Sequence, residues 1–251
     1  MKLLLYCVMR ANHSRNLPHK KGIQDQNLMV VGHREVTAIV SNYNPNECAL
    51  DVDTLLKYHH VIEGCFRHGT VIPFRFKTFL NDEKEVETHL EQHGMDYEET
   101  LTRLDEKVEM GIRVIMERIG PEGDGSISEE GLSFDTIRPG KSYLDRRRHV
   151  YKNEGALDSR LQAVVSYIKE ALNGFYVDFK IDSVKKVSSR ATDKNLLISM
   201  YFLINKSSLG MFQSIVDQMK AQLGRSILLS GPWAPYNFVV SENPHSVSSL
   251  G

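Results

Sequence analysis

The sequence contains few cysteines, one tryptophan and no excess of either charge. Cys7, Cys48 and Cys65 are an odd number of cysteines in 251 residues and lack the spacing of a zinc knuckle. They indicate neither a disulfide framework nor a metal motif, and they are typical of a reducing compartment. With 31 basic and 32 acidic side chains, the net charge is −1. The chain therefore lacks the basic excess that is typical of nucleic-acid-binding domains.

Long apolar runs are also missing. The apolar stretch near the start, Leu3–Met9, is short and is followed at once by Arg10 and His13, without a small-residue cleavage pattern. A membrane span needs about 20 apolar residues, so we expect a buried strand here rather than a signal peptide or anchor. Hydrophobic residues at 41% and charged residues at 25% are ordinary for a globular protein. We expect a cytoplasmic location.

The hydrophobic pattern of residues 1–105 predicts a mixed unit of strands and helices. Leu55, His59, Ile62 and Phe66 have the spacing of one helix face. The predicted elements are a strand at 2–9, a loop at 10–26, a hairpin of 28–31 and 36–43 that turns near Gly32-His33, a helix at 51–67, a strand at 71–79, and a charged helix at 82–105 interrupted near Gly94.

The pattern of residues 106–251 is more regular. Alternation from Val108 to Met116 predicts a strand with one buried face, and the apolar run Leu196–Ile204 predicts a central strand. The other predicted elements are a loop at 118–139, an amphipathic helix at 157–175, a strand at 176–181, a helix at 212–223 and a strand from 227.

This second series follows the order strand, helix, strand, strand, helix, strand, which is that of a ferredoxin-like unit. We therefore predict an α+β fold with two domains. Residues 1–105 would form an N-terminal α+β domain of modified ferredoxin-like plan that ends in a linking helix. Residues 106–251 would form a C-terminal ferredoxin-like domain (βαββαβ) with the long loop at 118–139.

Histidines cluster between residues 59 and 68. His60 and Glu63 lie three residues apart on a predicted helix and His68 follows, so a metal-dependent enzyme using these three is one hypothesis. However, His59 points about 100° away from His60 on a helix, and the spacing is not His-Glu-x-x-His. The pattern favours no metal site, with His59 at the core edge and Glu63 in solvent or paired with an arginine.

Two further polar segments suggest binding chemistry. Gly120–Ile127 resembles part of a calcium loop, but its first and twelfth ligand positions would be Gly120 and Gly131, which carry no carboxylate. Arg146–Arg148 could meet phosphate or an acidic partner, although a solvated helix face is the commoner reason for such a cluster. No nucleophile elbow, P-loop or GxGxxG motif is present. The absence of these motifs disfavours an enzyme.

The ferredoxin-like order is shared with RNA-recognition modules, so an RNA-binding module is a second alternative. In such modules the third strand carries aromatic residues flanked by glycine and basic residues. The matching strand here, Leu196–Ile204, contains Tyr201 and Phe202 but no glycine and no basic residue. Adjacent aromatic side chains also point to opposite faces of a strand, which disfavours nucleic-acid binding.

The segment Ser230–Phe238 is the most unusual in the chain. It holds the single tryptophan, Trp233, between Pro232 and Pro235, with Tyr236 next. Proline cannot donate a ladder hydrogen bond, so the strand must break, bulge or lie at an edge here. Such a stiff aromatic corner either covers the core or serves as a partner-binding anchor.

Four blocks of the chain resemble the gas vesicle protein F/L family. They are His60–Glu63 with His68–Phe76, then Glu106–Val114, then Lys141–Leu144 with Arg146–Arg148, and finally Leu229–Val239, which is similar to the family's Gly-Pro-Trp ending. Lys77 and Ala234 depart from the family pattern, at positions where glycine and proline are usual.

The resemblance implies an accessory protein of gas vesicle assembly rather than an enzyme, with two α+β domains that are at least partly ferredoxin-like. Its implied partners are the small hydrophobic gas vesicle shell protein A and other accessory proteins, with no nucleic acid and no membrane. It implies no cofactor, metal or catalytic residue, and a place in the cytoplasm or at the gas vesicle. The residues expected to contact a partner are Trp233, Tyr236, Pro232 and Pro235.

Overall fold

The structure is a computed structural model, and it describes most of the chain. The described residues are 2–17, 21–44, 51–116, 159–182, 185–187, 195–223 and 226–239. Several predicted features lie outside them: the loop at 118–139 with Gly120–Ile127, the cluster Arg146–Arg148, the start of the helix predicted at 157–175, and Cys48.

The first sheet is built around the apolar N-terminal strand. Its five strands are β1 (Lys2–Arg10), β2 (Leu28–His33), β3 (Val36–Tyr43), β4 (Val71–Pro73) and β5 (Phe79–Leu80). They lie in the order β2-β3-β1-β4, with β5 also paired to β1, and all pairs are antiparallel. Because β1 has neighbours on both sides, its side chains from Leu3 to Met9 are buried, as predicted for this run.

Two helices accompany the first sheet, α1 (Val52–Phe66) and α2 (Glu83–Arg103). Each helix is capped at its N-terminus by an aspartate. The Asp51 carboxylate accepts a hydrogen bond from the backbone N–H of Thr54, and the Asp82 carboxylate accepts one from the backbone N–H of Glu85. The predicted interruption of the second helix near Gly94 is wrong. Gly94 is buried within a continuous helix, so a small residue is accommodated there without a break.

The hairpin turns at Arg34-Glu35, directly after Gly32-His33, as predicted. Two other local predictions in this half need correction. The strand predicted at 71–79 is two short strands, β4 and β5, which pair with different ends of β1. On α1 the buried face includes Tyr58, Val61 and Cys65, whereas Leu55 is exposed, so the predicted face is rotated.

The second sheet is also antiparallel. Its strands are β6 (Lys107–Met116), β7 (Asp178–Ile181), β8 (Lys185–Val187), β9 (Asn195–Asn205) and β10 (Ser226–Trp233). The order is β10-β6-β9-β7, with β8 paired to β9. The prediction that Leu196–Ile204 forms a central strand is confirmed, because β9 lies between β6 and β7.

Two further helices bury one face of this sheet. They are α3, whose described part covers residues 159–171, and α4 (Leu209–Leu223). Ile168 on α3 and Phe212 on α4 pack with Met110 and Phe202 of the sheet, and all four are fully buried. The same apolar cluster includes Ile62 on α1, so side chains from both sheets share one connected core.

The strand predicted at 176–181 is present as β7, but its apolar face is not the predicted one. Phe179 packs against the core, whereas Val177 and Ile181 are about half exposed, because β7 is a short strand at the edge of the sheet. Within the described residues, no helix is long and apolar enough to cross a membrane.

Candidate partner-binding surface

The Gly-Pro-Trp segment begins inside an edge strand. Among the described strands, β10 pairs with β6 alone, and its register shifts between Ser230 and Trp233. Gly231 has a φ of +111°, and a Cβ at this position would lie 2.7 Å from the backbone oxygen of Glu109. Both features require glycine, and they confirm the prediction that the strand bulges at an edge here.

After the shift, the segment crosses to α1 and contacts His59. The ring of Trp233 meets the His59 ring edge-on with centroids 5.2 Å apart, and the Tyr236 ring stacks on the same imidazole at 6.1 Å. The Tyr236 hydroxyl lies 3.2 Å from His59 Nδ1. His59 therefore joins the C-terminal segment to the helix of the first half.

The four residues expected to contact a partner differ in exposure. Trp233 is 37% exposed and Pro232 is exposed, whereas Pro235 is buried and Tyr236 is half-buried. All four residues lie in one short segment, but only Trp233 and Pro232 are well exposed to solvent. Pro235 and Tyr236 are positioned to support the corner.

The far end of the segment is fixed by Glu109 on β6. This carboxylate accepts two hydrogen bonds from Asn237, one from the backbone N–H at 2.8 Å and one from Nδ2 at 2.6 Å. Arg103 Nη2 donates to the backbone oxygen of Phe238 at 2.7 Å, and the Phe238 ring packs beside Leu203. These contacts hold the segment against β6 and the end of α2.

The burial of Glu109 shows that the predicted single buried face of its strand is wrong. Alternation predicted one buried face for Val108–Met116, yet Glu109 is only 3% exposed because the C-terminal segment covers it. Burial raises the pKa of Glu109, and the hydrogen bonds from Asn237 oppose that effect. A folded-state pKa above the ordinary carboxyl value means that the folded protein holds this proton more tightly than the unfolded chain.

We expect this raised pKa to appear in the pH dependence of stability. Below the ordinary carboxyl pKa the protonated group contributes its full stability, which is lost as the pH rises through the raised value. Glutamine does not titrate, so wild type should gain stability relative to Glu109→Gln as the pH falls from 7 towards the ordinary carboxyl range. Urea unfolding of both proteins at several pH values measures this difference. A difference that is constant with pH would contradict the assignment.

The histidine cluster does not assemble as a metal enzyme would require. His60 is exposed, and His68 Nδ1 lies 3.0 Å from the backbone oxygen of Gly64. Glu63 Oε1 instead lies 3.8 Å from His59 Nε2. Among the residues that the structure describes, no group of three or more His, Cys, Asp and Glu side chains could hold a metal ion.

The expectation for His59 is confirmed, and that for Glu63 is wrong. His59 lies half-buried at the edge of the core, as predicted. The Glu63 side chain is only 15% exposed and faces His59 rather than solvent or an arginine. Tyr236 and Glu63 both lie beside His59. Burial and, secondly, the charge of Glu63 raise the pKa of Tyr236.

An apolar row on the outer side of α1 was missed by the sequence analysis. Val52, Leu55 and Leu56 are 70%, 44% and 49% exposed, and with His59 they follow the spacing i, i+3, i+4, i+7. The row leads along the helix to Trp233, which touches His59. Leu55 and His59 belong to the helix face that the sequence predicted, and spacing alone does not show that the first turns of this face are exposed.

The strand tested for RNA binding places its aromatics on opposite sides. Phe202 is fully buried and contacts Phe179 and Phe212, whereas Tyr201 is half-buried on the other face near Phe238. The predicted separation of the two rings is therefore confirmed. Whether this face binds RNA stays an untested alternative.

Comparisons with known proteins agree on one family. The family model for gas vesicle synthesis protein GvpL/GvpF matches residues 2–240. Gas vesicle protein L of Streptomyces sp. (strain CB03234) is 27% identical over 190 residues, which cover 72% of this chain and 67% of that protein. Gas vesicle protein F of the same organism is 24% identical over 252 residues, which cover 95% of this chain and 100% of that protein.

A solved structure shows the same fold. The crystal structure of the gas vesicle protein GvpF from Anabaena sp. PCC7120 superposes with a TM-score of 0.72 at 16% identity, covering 98% of each chain. At that identity the likeness concerns the mixed α/β fold with two antiparallel sheets. Because the family model spans nearly the whole chain, this protein belongs to the gas vesicle synthesis protein GvpL/GvpF family.

Proposed function

We propose that this chain is a non-enzymatic accessory protein of gas vesicle assembly. It binds the small hydrophobic shell protein, gas vesicle shell protein A, and other accessory proteins while the vesicle nucleates or forms. It acts in the cytoplasm or at the vesicle and needs no cofactor. Family membership supports the vesicle role, and the architecture of the described surface supports binding rather than catalysis.

The observation that carries this proposal is the exposed apolar surface formed by Val52, Leu55, Leu56 and Trp233, hereafter the α1–Trp233 surface. Val52, Leu55 and Leu56 on the first two turns of α1 are exposed, whereas Tyr58 and Ile62 further along the same helix are buried. A cluster of exposed apolar side chains on a helix normally has a partner that covers it. A contiguous apolar surface with an aromatic residue is typical of a protein-binding site.

The partner of this surface is apolar. Asp51, Asp53 and Lys57 lie on the same helix, but none of them belongs to the row of Val52, Leu55 and Leu56. When a hydrophobic shell subunit buries its own apolar side chains here, the binding free energy becomes more favourable by about 25 cal/mol per Å² of apolar area removed from water. The tryptophan is held by His59 and by the bulge, so it loses little side-chain entropy on binding.

We also propose a domain division near residue 105 and a ferredoxin-like plan for the second half. The strand order β10-β6-β9-β7, with α3 and α4 packed on one face, supports that plan. The first half, with its order β2-β3-β1-β4, would be a modified version. The shared core and the contact of the C-terminal segment with α1 indicate that the two units are held as one scaffold.

A charge in the apolar row tests the proposal. We expect Leu56→Asp to weaken capture of the purified shell protein about tenfold, because a carboxylate would be buried without a partner in the complex. Leu56 is 49% exposed, so the variant should fold with an unchanged melting temperature. The matched control is Met211→Asp, which places the same charge at a methionine that is 56% exposed on α4. Equal capture by Leu56→Asp and Met211→Asp would reject the α1–Trp233 surface as the binding site.

A further inference from the structure

A second histidine cluster lies on α2 and takes no part in the α1–Trp233 surface. His89, His93 and Tyr97 are spaced i, i+4, i+8, and their side chains form one row along the helix. The two imidazole centroids are 4.8 Å apart, and the Tyr97 ring lies 5.8 Å from His89 and 6.0 Å from His93. Phe74 packs edge-on against both His89 and Tyr97. The row is therefore held by packing rather than projecting freely into water.

His89 has a hydrogen-bond partner at one nitrogen, and His93 has a carboxylate nearby. Tyr97 Oη lies 2.6 Å from His89 Nε2, within hydrogen-bond distance, whereas Asp96 Oδ2 lies 4.0 Å from His93 Nδ1, which is beyond it. When His89 Nε2–H donates to the phenol oxygen, Nδ1 of His89 carries a lone pair. When His93 Nδ1–H points to Asp96, Nε2 of His93 carries one. Metal-binding histidines typically use their second nitrogen for such a carboxylate or hydroxyl partner.

The separation of the rings fits a shared metal ion. With a metal–nitrogen bond of ~2.1 Å, the ion lies about 3.2 Å from each ring centroid. Two such rings have centroids about 4.5 Å apart at a right angle and about 5.2 Å apart at a tetrahedral angle, given the same bond length. The observed 4.8 Å lies between these two values.

We infer that His89 and His93 form a binding site for a divalent transition-metal ion of the Cu²⁺, Ni²⁺ or Zn²⁺ type, with solvent completing its coordination. Imidazole is a preferred ligand of these ions. The site offers two protein ligands, consistent with the finding that no group of three metal-binding side chains occurs in the described parts of the chain. Tyr97 is a positioning residue in this arrangement.

The experiment is a calorimetric titration of the metal-free full-length chain, in separate runs with Cu²⁺, Ni²⁺ and Zn²⁺. We expect saturable binding of at least one of these ions, and loss of this binding in His89→Ala and in His93→Ala. The matched control is His60→Ala, which removes an exposed histidine from α1 and should bind as wild type does. Tyr97→Phe should weaken binding about tenfold, the lower end of the effect of removing such a partner.

Several results would overturn the site. One is the absence of saturable binding in wild type, and another is unchanged binding in His93→Ala. A third is loss of binding in His60→Ala, which would move the ligands to α1. Alanine is the most favourable residue in a helix and His93 is partly exposed, so His93→Ala decides the question even if His89→Ala fails to fold. For Cu²⁺, the electron paramagnetic resonance spectrum should show coupling to two nitrogens in wild type and to fewer in His93→Ala.

Discussion

Replacing Trp233 by alanine should weaken binding of the shell protein by about 30-fold. Trp233 is the one large aromatic side chain of the α1–Trp233 surface, and truncating such an anchor typically costs 2 kcal/mol or more of binding free energy. The side chain is only 37% exposed because its inner edge rests on His59. Titration of immobilised wild-type and Trp233→Ala chains with purified shell protein measures the ratio of dissociation constants.

The control for this result is an aromatic residue of equal exposure elsewhere. Tyr167 on α3 is 36% exposed, so Tyr167→Ala removes a ring of similar accessibility from a different helix. We expect that variant to bind as wild type does. Equal affinities for wild type and Trp233→Ala, with both proteins folded by circular dichroism, would remove Trp233 from the binding site and leave Leu56 as the test of the surface.

Replacing Glu109 by alanine should lower the free energy of unfolding by about 3 kcal/mol. The substitution removes the carboxylate that accepts two hydrogen bonds from Asn237, and a hydrogen bond to a charged group contributes about 1.5–3 kcal/mol. In a chain of this size a loss of this magnitude lowers the melting temperature by about 6–12 °C. Differential scanning calorimetry of wild type and Glu109→Ala measures it directly.

A double-mutant cycle identifies the contact responsible. If Glu109 acts through Asn237, the losses in Glu109→Ala and Asn237→Ala will not add, and the coupling free energy will be about 1–3 kcal/mol. Glu87→Ala, at an exposed position on α2, is the control and should leave the melting temperature unchanged. Additive losses, or a loss in Glu109→Ala no larger than that in Glu87→Ala, would contradict the role assigned to this carboxylate.

Several elements that lie inside the core were predictable from the sequence. The apolar runs of β1 and β9 predicted strands inside sheets, because a strand buried on both faces contains few polar residues. The helices α1 and α4 were predicted from apolar spacing near 3.6. The prolines around Trp233 predicted the bulge, since proline cannot take part in the strand ladder.

The contacts between distant segments were not predictable in the same way. Glu109 has the sequence position of a solvent-facing strand residue, and only the folding of Asn237 over it, 128 residues later, buries it. The same holds for Glu63, whose neighbour Tyr236 comes from the other half of the chain. Periodicity describes each element by itself, so it cannot show which surface a later segment will cover.

The α1–Trp233 surface illustrates both cases. Trp233 and Tyr236 were singled out because their local sequence is unusual. Val52 and Leu56 lie in an ordinary helical pattern, and their exposure follows from how α1 is rotated on the first sheet. The rotation is set by the buried Tyr58 and Cys65, whose packing the sequence does not state.

Complementation of a deletion strain tests the central claim most directly. The native host, with the gene for this chain deleted, receives wild type, the double variant Leu56→Asp with Trp233→Ala, or the control double variant Met211→Asp with Tyr167→Ala, all at equal protein levels. Gas vesicles are then counted by electron microscopy. We predict that wild type and the control restore vesicles and that the Leu56–Trp233 double variant does not. Normal vesicles in cells that carry the Leu56–Trp233 double variant would contradict the account.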